Sequence, residues 1–461
     1  YYYANRLNRR LLSTTGGAWQ GFFWDGRIIP LAGVRRDFNR TRDGNSALAP
    51  SSATNGYYNT SGMEDFGQYD WVANRGQTTN YGIVIRPLPW LGLTYSQSDA
   101  FNPGSLAYDV YGQPLPDPRG KTKDYGFDLQ LLPDSSGRSR LSIRAKQYET
   151  IDAGRGTSEI NTIVQRAVRL DADGNTTGGD PDLEGFYIQE YQKLNPTWTV
   201  TQAEEAAAAR MGVDPAFIDS HRNKTHGDNS DAVSRGREVE VEYNPTVNWT
   251  VKATLRNAKA FNGTMSPALQ KYVADRLPNW MAATSPYDGS SYWDGTYKVG
   301  SSTPVIWYTA NLLAPMKLAI ATQGKIRSQY REWSSSMLTN YKLRGITSNR
   351  WLKNLDIGGA VRWEGKAIIG YRGAAPDPDG VIRELDAAKP VYDSARYYVD
   401  FMAGYNLRFY RDKVQCRLQF NVSNVFEDGR LQAVAVNPDG TPWAFRIIDP
   451  REFIFQASFK L

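Results

Sequence analysis

The densest group of side chains able to grip a ligand lies between Asn279 and Tyr308. Trp280, Tyr287, Tyr292, Trp293, Tyr297, Trp307 and Tyr308 all fall in this one connecting stretch. Exposed rings could stack on sugars or aromatic chelators. The bland alternative is that they pack loop helices together or sit in an interfacial girdle, the rule for aromatics beside a membrane. A second group, Asp171, Asp173, Asn175, Asp180 and Asp182, is rich enough in oxygen for Ca2+. It has Thr176 where an EF-hand loop needs glycine and lacks the closing Glu, so a turn at Asp173-Gly174 explains it and no metal site is expected. The third group is Arg140, Arg144, Arg256, Arg362, Arg408 and Arg417, each on the polar face of a strand-like segment. These could line a path for anions; pairing with Asp124, Asp128 and the row Glu238, Glu240, Glu242 is the simpler use.

Little else in the chain suggests catalysis. There are two histidines, His221 and His226, and a single cysteine, Cys416, which excludes an intrachain disulfide framework. Neither a His-rich metal centre nor a nucleophilic triad has many residues to draw on, so no enzyme and no cofactor are expected. The net charge of +6 is not gathered into a basic run, which argues against a nucleic-acid partner. The chain is only 41% hydrophobic but 13% aromatic, and no run is apolar enough for a transmembrane helix.

What positions these residues is a set of alternating segments. In Tyr397–Phe409, Val414–Val422 and Phe453–Leu461 every second residue is apolar, as strands with one apolar and one polar face require. Each is long enough to cross a bilayer, where roughly 9–11 tilted residues suffice. Similar pairs flank Asp25-Gly26, Pro87-Leu88-Pro89, Pro133–Arg138 and Asn244-Pro245-Thr246, and another joins Tyr330–Leu343 to Leu352–Trp363. Connections after Trp24, Arg86, Leu132, Tyr243, Leu343 and Tyr410 are short, whereas those after Phe38, Ser98, Ile151, Ala260, Trp363 and Asn424 are long. Short turns on one side and long loops on the other are the pattern of an outer-membrane barrel. The fold expected is an all-β transmembrane antiparallel barrel of 13 strands, or 14 with Tyr1–Leu12, forming one domain over residues 1–461. The long loops should hold short helices: one opened by Thr201 and Glu204 and ended by Gly212, and two opened at Ser266-Pro267 and Thr303-Pro304. Gly324 should end the last of them.

Several segments also resemble a known family. Asn421–Asp428 (NVSNVFED) resembles the "N-V-x-N-L-F-D" run before the last strand of TonB-dependent outer-membrane receptors. Trp333–Tyr341 with Leu355–Trp363 is similar to their late-barrel hairpin, and Gly33-Val34-Arg35-Arg36-Asp37 to their "G-x-R-x-D". The chain departs from the family at its end, where Leu461 replaces the usual Phe and the last ten residues hold no glycine. The resemblance implies an outer-membrane receptor for a scarce, large ligand (an iron chelate, cobalamin or an oligosaccharide), caught by extracellular loops. It implies outer-membrane lipid, a TonB energy-coupling complex and a substrate-capturing lipoprotein as partners. It also implies a barrel of roughly 22 strands around a plug, so this chain, with neither, is expected to be a C-terminal part. A 14-stranded porin-like channel and a soluble carbohydrate-binding β protein are the alternatives.

Overall fold

The computed structural model describes residues 8–43, 71–101, 107–154, 158–172, 180–223, 225–228, 231–296, 302–378, 380–410 and 413–460. Strands come in hairpins: β1 (Asn8–Gln20) with β2 (Ile28–Asp43), β3 (Val72–Leu88) with β4 (Leu91–Phe101), and β5 (Arg119–Pro133) with β6 (Ser139–Ala153). They continue with β7 (Ala232–Thr246) and β8 (Trp249–Phe261), then β9 (Trp333–Lys342) and β10 (Leu355–Glu364). Two small strands, β11 (Ile368–Gly373) and β12 (Leu385–Tyr392), precede β13 (Arg396–Phe409) and β14 (Val414–Ser423). A second small pair, β15 (Leu431–Val436) and β16 (Pro442–Ile447), precedes β17 (Glu452–Lys460).

Thirteen of these form one antiparallel sheet in the order β1 to β10, β13, β14, β17. The short–long alternation of connections is the one expected. The separate strand Tyr1–Leu12 is not: from Asn8 it continues unbroken to Gln20, because Gly16 and Gly17 keep the pairing with Arg35 and Val34 instead of interrupting it. A side chain at Gly16 would meet the Val34 carbonyl at 2.7 Å, so glycine is what lets the two strands close there. Residues 1–7 lie outside the described residues. Asp25 and Gly26 both take positive φ, as the tight turn requires.

The sheet wears its apolar face outward. Leu93 pairs with Phe127, Val361 lies between Met337 and Val399, and Phe420 pairs with Phe455; all these faces stay open, with Phe455 68% exposed. The buried hydrophobic cluster contains no wall residue. It runs from Val110 through Ile163–Ile218 to Met265–Leu312, entirely within three long connections. A soluble sandwich would bury its apolar strand face; a wall bathed in lipid leaves it open.

The cap at the long-connection end is more helical than expected. The β6–β7 connection holds α1 (Ser158–Arg169), α2 (Leu183–Leu194), α3 (Val200–Met211) and α4 (Pro215–Asn223). In α3 the capping box is Thr199 with Gln202, not Thr201 with Glu204: Gln202 N donates to Thr199 Oγ1, and the Gln202 side chain accepts from Thr199 N at 2.9 Å. Gly212 ends it in the left-handed region, as expected. The β8–β9 connection holds α5 (Pro267–Ala282), capped by Ser266, and a helical stretch from Pro304 to Ala321 whose middle, Tyr308–Leu313, is a π-helix. That stretch closes at Thr322, and Gly324 instead supplies positive φ in the following turn.

Candidate functional site

Along α5, Tyr272, Arg276 and Trp280 recur every fourth residue and so share one face. All three meet one carboxylate, the fully buried Asp171 just after α1. Arg276 grips both its oxygens at 2.7–3.1 Å, Trp280 Nε1 donates at 2.9 Å, and the Tyr272 hydroxyl donates to Oδ2. Burial opposes charge on Arg276, but Asp171 beside it raises the guanidinium above its ordinary value. Burial and the same carboxylate hold the Tyr272 phenol well above its usual range. His221 Nδ1 lies 2.8 Å from the Phe217 carbonyl and its Nε2 3.1 Å from the Tyr272 hydroxyl; burial pushes its pKa down to about 4. This polar cluster is structural. Asp171 already has a counter-charge, Asp182 caps α2 through Gly185 N, and Asp180 accepts from Trp307 Nε1 at 2.8 Å. Asp173 and Asn175 lie outside the described residues, and no cluster of metal ligands occurs among the described ones.

The aromatics of this loop divide. Trp280, Tyr292 and Trp293 are buried, with Trp280 and Tyr292 at 0% exposure, and offer no ring face to a ligand. Trp293 packs on Tyr308 and Tyr292 on Phe186. Of the five predicted ligand contacts only Tyr287, 55% exposed, is open among the described residues; Tyr297 lies outside them.

The predicted arginines are spread along the polar face. Arg144 lies between Asp128 (3.9 Å) and Glu240 (3.4 Å), and Arg362 pairs with Asp400 at 3.4 Å. Arg140 reaches the turn carbonyls of Leu132 and Pro245. Arg417 forks onto Asp356, and Arg408 lines the same cavity at the short-turn end, of 900 Å3.

Arg256 does something more. It sits 3.6 Å from Glu238 and donates to the hydroxyls of Tyr148 (3.4 Å) and Tyr330 (3.1 Å), at the edge of a 340 Å3 cavity at the long-connection end of the wall. Arg331, Arg396 and Arg446 share this cavity with Glu364 and Asp393. Arg331 binds Asp393 and lies 3.5 Å from Glu364, which Arg396 also meets at 3.3 Å. Gln432, from β15, donates to Asp393 at 2.9 Å. With Glu238 beside Arg256, four guanidiniums meet three carboxylates and leave an open cavity net positive, able to take an anionic or polyhydroxylated ligand. Arg331, Asp393, Gln432 and Arg446 were not anticipated; they are joined by the hairpins β11–β12 and β15–β16, which lack strict alternation and carry register shifts.

No family model and no curated protein matches this chain. Solved structures do. The ferric preacinetobactin receptor BauA of Acinetobacter baumannii is 11% identical, with a TM-score of 0.50, over 98% of this chain and 44% of its own. The ferric-catecholate import receptor Fiu of E. coli K12 (open form) gives 12% identity and a TM-score of 0.46, covering 98% and 42%. The ferric yersiniabactin uptake receptor FyuA of Yersinia pestis gives 8% and 0.48, covering 98% and 46%. This chain thus spans less than half the length of each. Its fold is that of part of a transmembrane antiparallel β-barrel, with thirteen strands among the described residues, short turns at one end and long connections at the other.

Proposed function

We propose that this chain is the C-terminal barrel part of a TonB-dependent outer-membrane receptor that takes up a scarce, large ligand, and that a ferric chelate is the first class to test. The observation that carries the reading is the inversion of the wall, apolar outside and charged inside, with the hydrophobic core displaced into the long connections. Arg256, Tyr330 and Arg446 would contact the ligand in the arginine-lined cavity at the long-connection end. The chain has no reaction of its own in this reading; transport is driven by the energy-coupling complex acting through a plug. The fold shared with the ferric preacinetobactin receptor supports the choice of ligand class.

The test is refolding into detergent followed by titration with ferric chelates, read by tryptophan quenching. Saturable quenching by an anionic chelate and not by its neutral analogue is expected. A chain that stays soluble and folded without detergent would overturn the membrane reading. Steady conductance of the chain in a planar bilayer, with no chelate binding, would favour a passive channel.

A further inference from the structure

On the lipid-facing side of β2, the apolar residues Ala32 and Val34 are followed at the same alternation by Arg36, Phe38 and Arg40. Phe38 pairs with Arg75 on β3, and the guanidiniums of Arg40 and Arg75 both lie 5.0 Å from the centre of its ring. Arg42 stacks on Trp71 at 4.9 Å in the same way. Phe38 lies about ten residues from the short turn, which at the usual strand tilt brings it to the top of an apolar band about 25 Å tall. The rings therefore mark the outer interface and the guanidiniums stand at headgroup depth.

Among the described residues the charge there is one-sided. Among the described residues, no carboxylate on β1–β3 faces outward at this level. On β4, Asp99 is bonded to Thr79 and stands opposite Lys121 in register. Farther along the wall, outward cations are neutralised within the protein: Arg235 meets Glu149 at 2.7 Å and Lys259 meets Glu332 at 3.6 Å. Two guanidiniums gathered on one ring repel each other, and cation–π attraction at an exposed site offsets this only in part. A multiply charged anion between them removes the repulsion, and the planar fork of arginine suits phosphate.

We infer that Arg36, Arg40 and Arg75 around Phe38 form a binding site for the phosphorylated headgroup of an outer-leaflet lipid, whose acyl chains lie on the apolar band below. The inference rests on the membrane placement proposed above. Heat-modifiable migration on gels tests that placement separately, since a misfolded or soluble chain fails there first.

The experiment uses the full receptor in non-ionic detergent, with bis-phosphorylated lipid A as probe and native mass spectrometry counting bound lipid. Wild type should retain the lipid, and Arg40→Gln/Arg75→Gln, confirmed as folded by heat-modifiable migration, should retain at least fivefold less. Lipid A stripped of its phosphates should be retained no better by wild type than by the variant. Equal retention of intact lipid A by both proteins, retention of the stripped lipid by wild type as strong as that of intact lipid A, or inorganic phosphate binding as tightly as the lipid would each overturn the assignment.

Discussion

Arg417 on β14 reaches across β13 to clasp Asp356 on β10, its two terminal nitrogens 3.0 and 2.7 Å from the carboxylate oxygens. The crossing is possible because the strand between presents Gly404 in register with Asp356, and a Cβ there would stand 2.7 Å from that carboxylate. Asp356 is nearly buried and also accepts from Asn406 at 3.2 Å. Arg417→Ala leaves it largely unpaired and is expected to cost about 2–4 kcal/mol. Gly404→Ala should cost a comparable amount by displacing the guanidinium. Urea unfolding in detergent, followed by the heat-modifiable gel shift, measures both; midpoints equal to wild type would show that the clasp contributes nothing.

The cap has its own clasp in Asp171, and its failure should be local. Arg276→Ala leaves a fully buried carboxylate without its counter-charge, at a cost of about 3–5 kcal/mol. Because Asp171 touches only cap residues, α5 should lose hydrogen-exchange protection while β5–β8 keep theirs. Uniform loss across cap and wall would mean that the two unfold as one unit.

How far these arrangements can be read from sequence depends on how far apart the partners lie. The wall was legible because period-two alternation, Asp25-Gly26 and the short–long rhythm are local signals. Trp280 illustrates the opposite case. Its aromatic run looks the same whether exposed or packed, and what decides is Asp171, 109 residues earlier in the chain. Arg256 could be placed on the polar face, but its partner Tyr330 arrives from a long connection, and the β11–β12 hairpin that shares its cavity has broken alternation. Thr199 and Thr201 each stand three residues before a Gln or Glu, so both fit a capping box, and only the backbone turn at Thr199 separates them.

Acid should loosen the cap before the wall. His221 has a pKa of about 4 in the fold against 6.5 when unfolded, chiefly because burial disfavours its charge. Asp171 works the other way, whereas His226 and Arg276 add to the lowering. A depressed folded pKa means that the unfolded chain takes up the proton first. The contribution is therefore fully present above pH 6.5 and is lost as pH falls towards 4, by about 3 kcal/mol. Limited proteolysis of the α4–α5 region from pH 7.5 to 4 should accelerate across that window, and His221→Gln should flatten the profile. An unchanged profile in the variant would assign the acid response to other groups.

Ligand contacts and packing residues separate by substitution. Arg256→Ala should weaken binding of an anionic chelate about tenfold, since a charge-assisted hydrogen bond contributes about 1.5–3 kcal/mol and part of it is recovered by water. Its neighbours Tyr148 and Tyr330 are hydroxyl acceptors that water can satisfy, so stability should change by less than about 1 kcal/mol. Trp280→Ala should do the reverse, removing a fully buried ring at about 3–5 kcal/mol to the cap and lowering affinity only through that collapse. Tyr287, exposed and outside the packed cluster, is the discriminating control. If Tyr287→Ala lowers affinity without altering cap protection, this loop touches ligand through its rim; if it changes neither, recognition belongs to the arginine cavity alone. Tryptophan-quenching titrations of the four proteins, with hydrogen exchange on the same samples, decide between these outcomes.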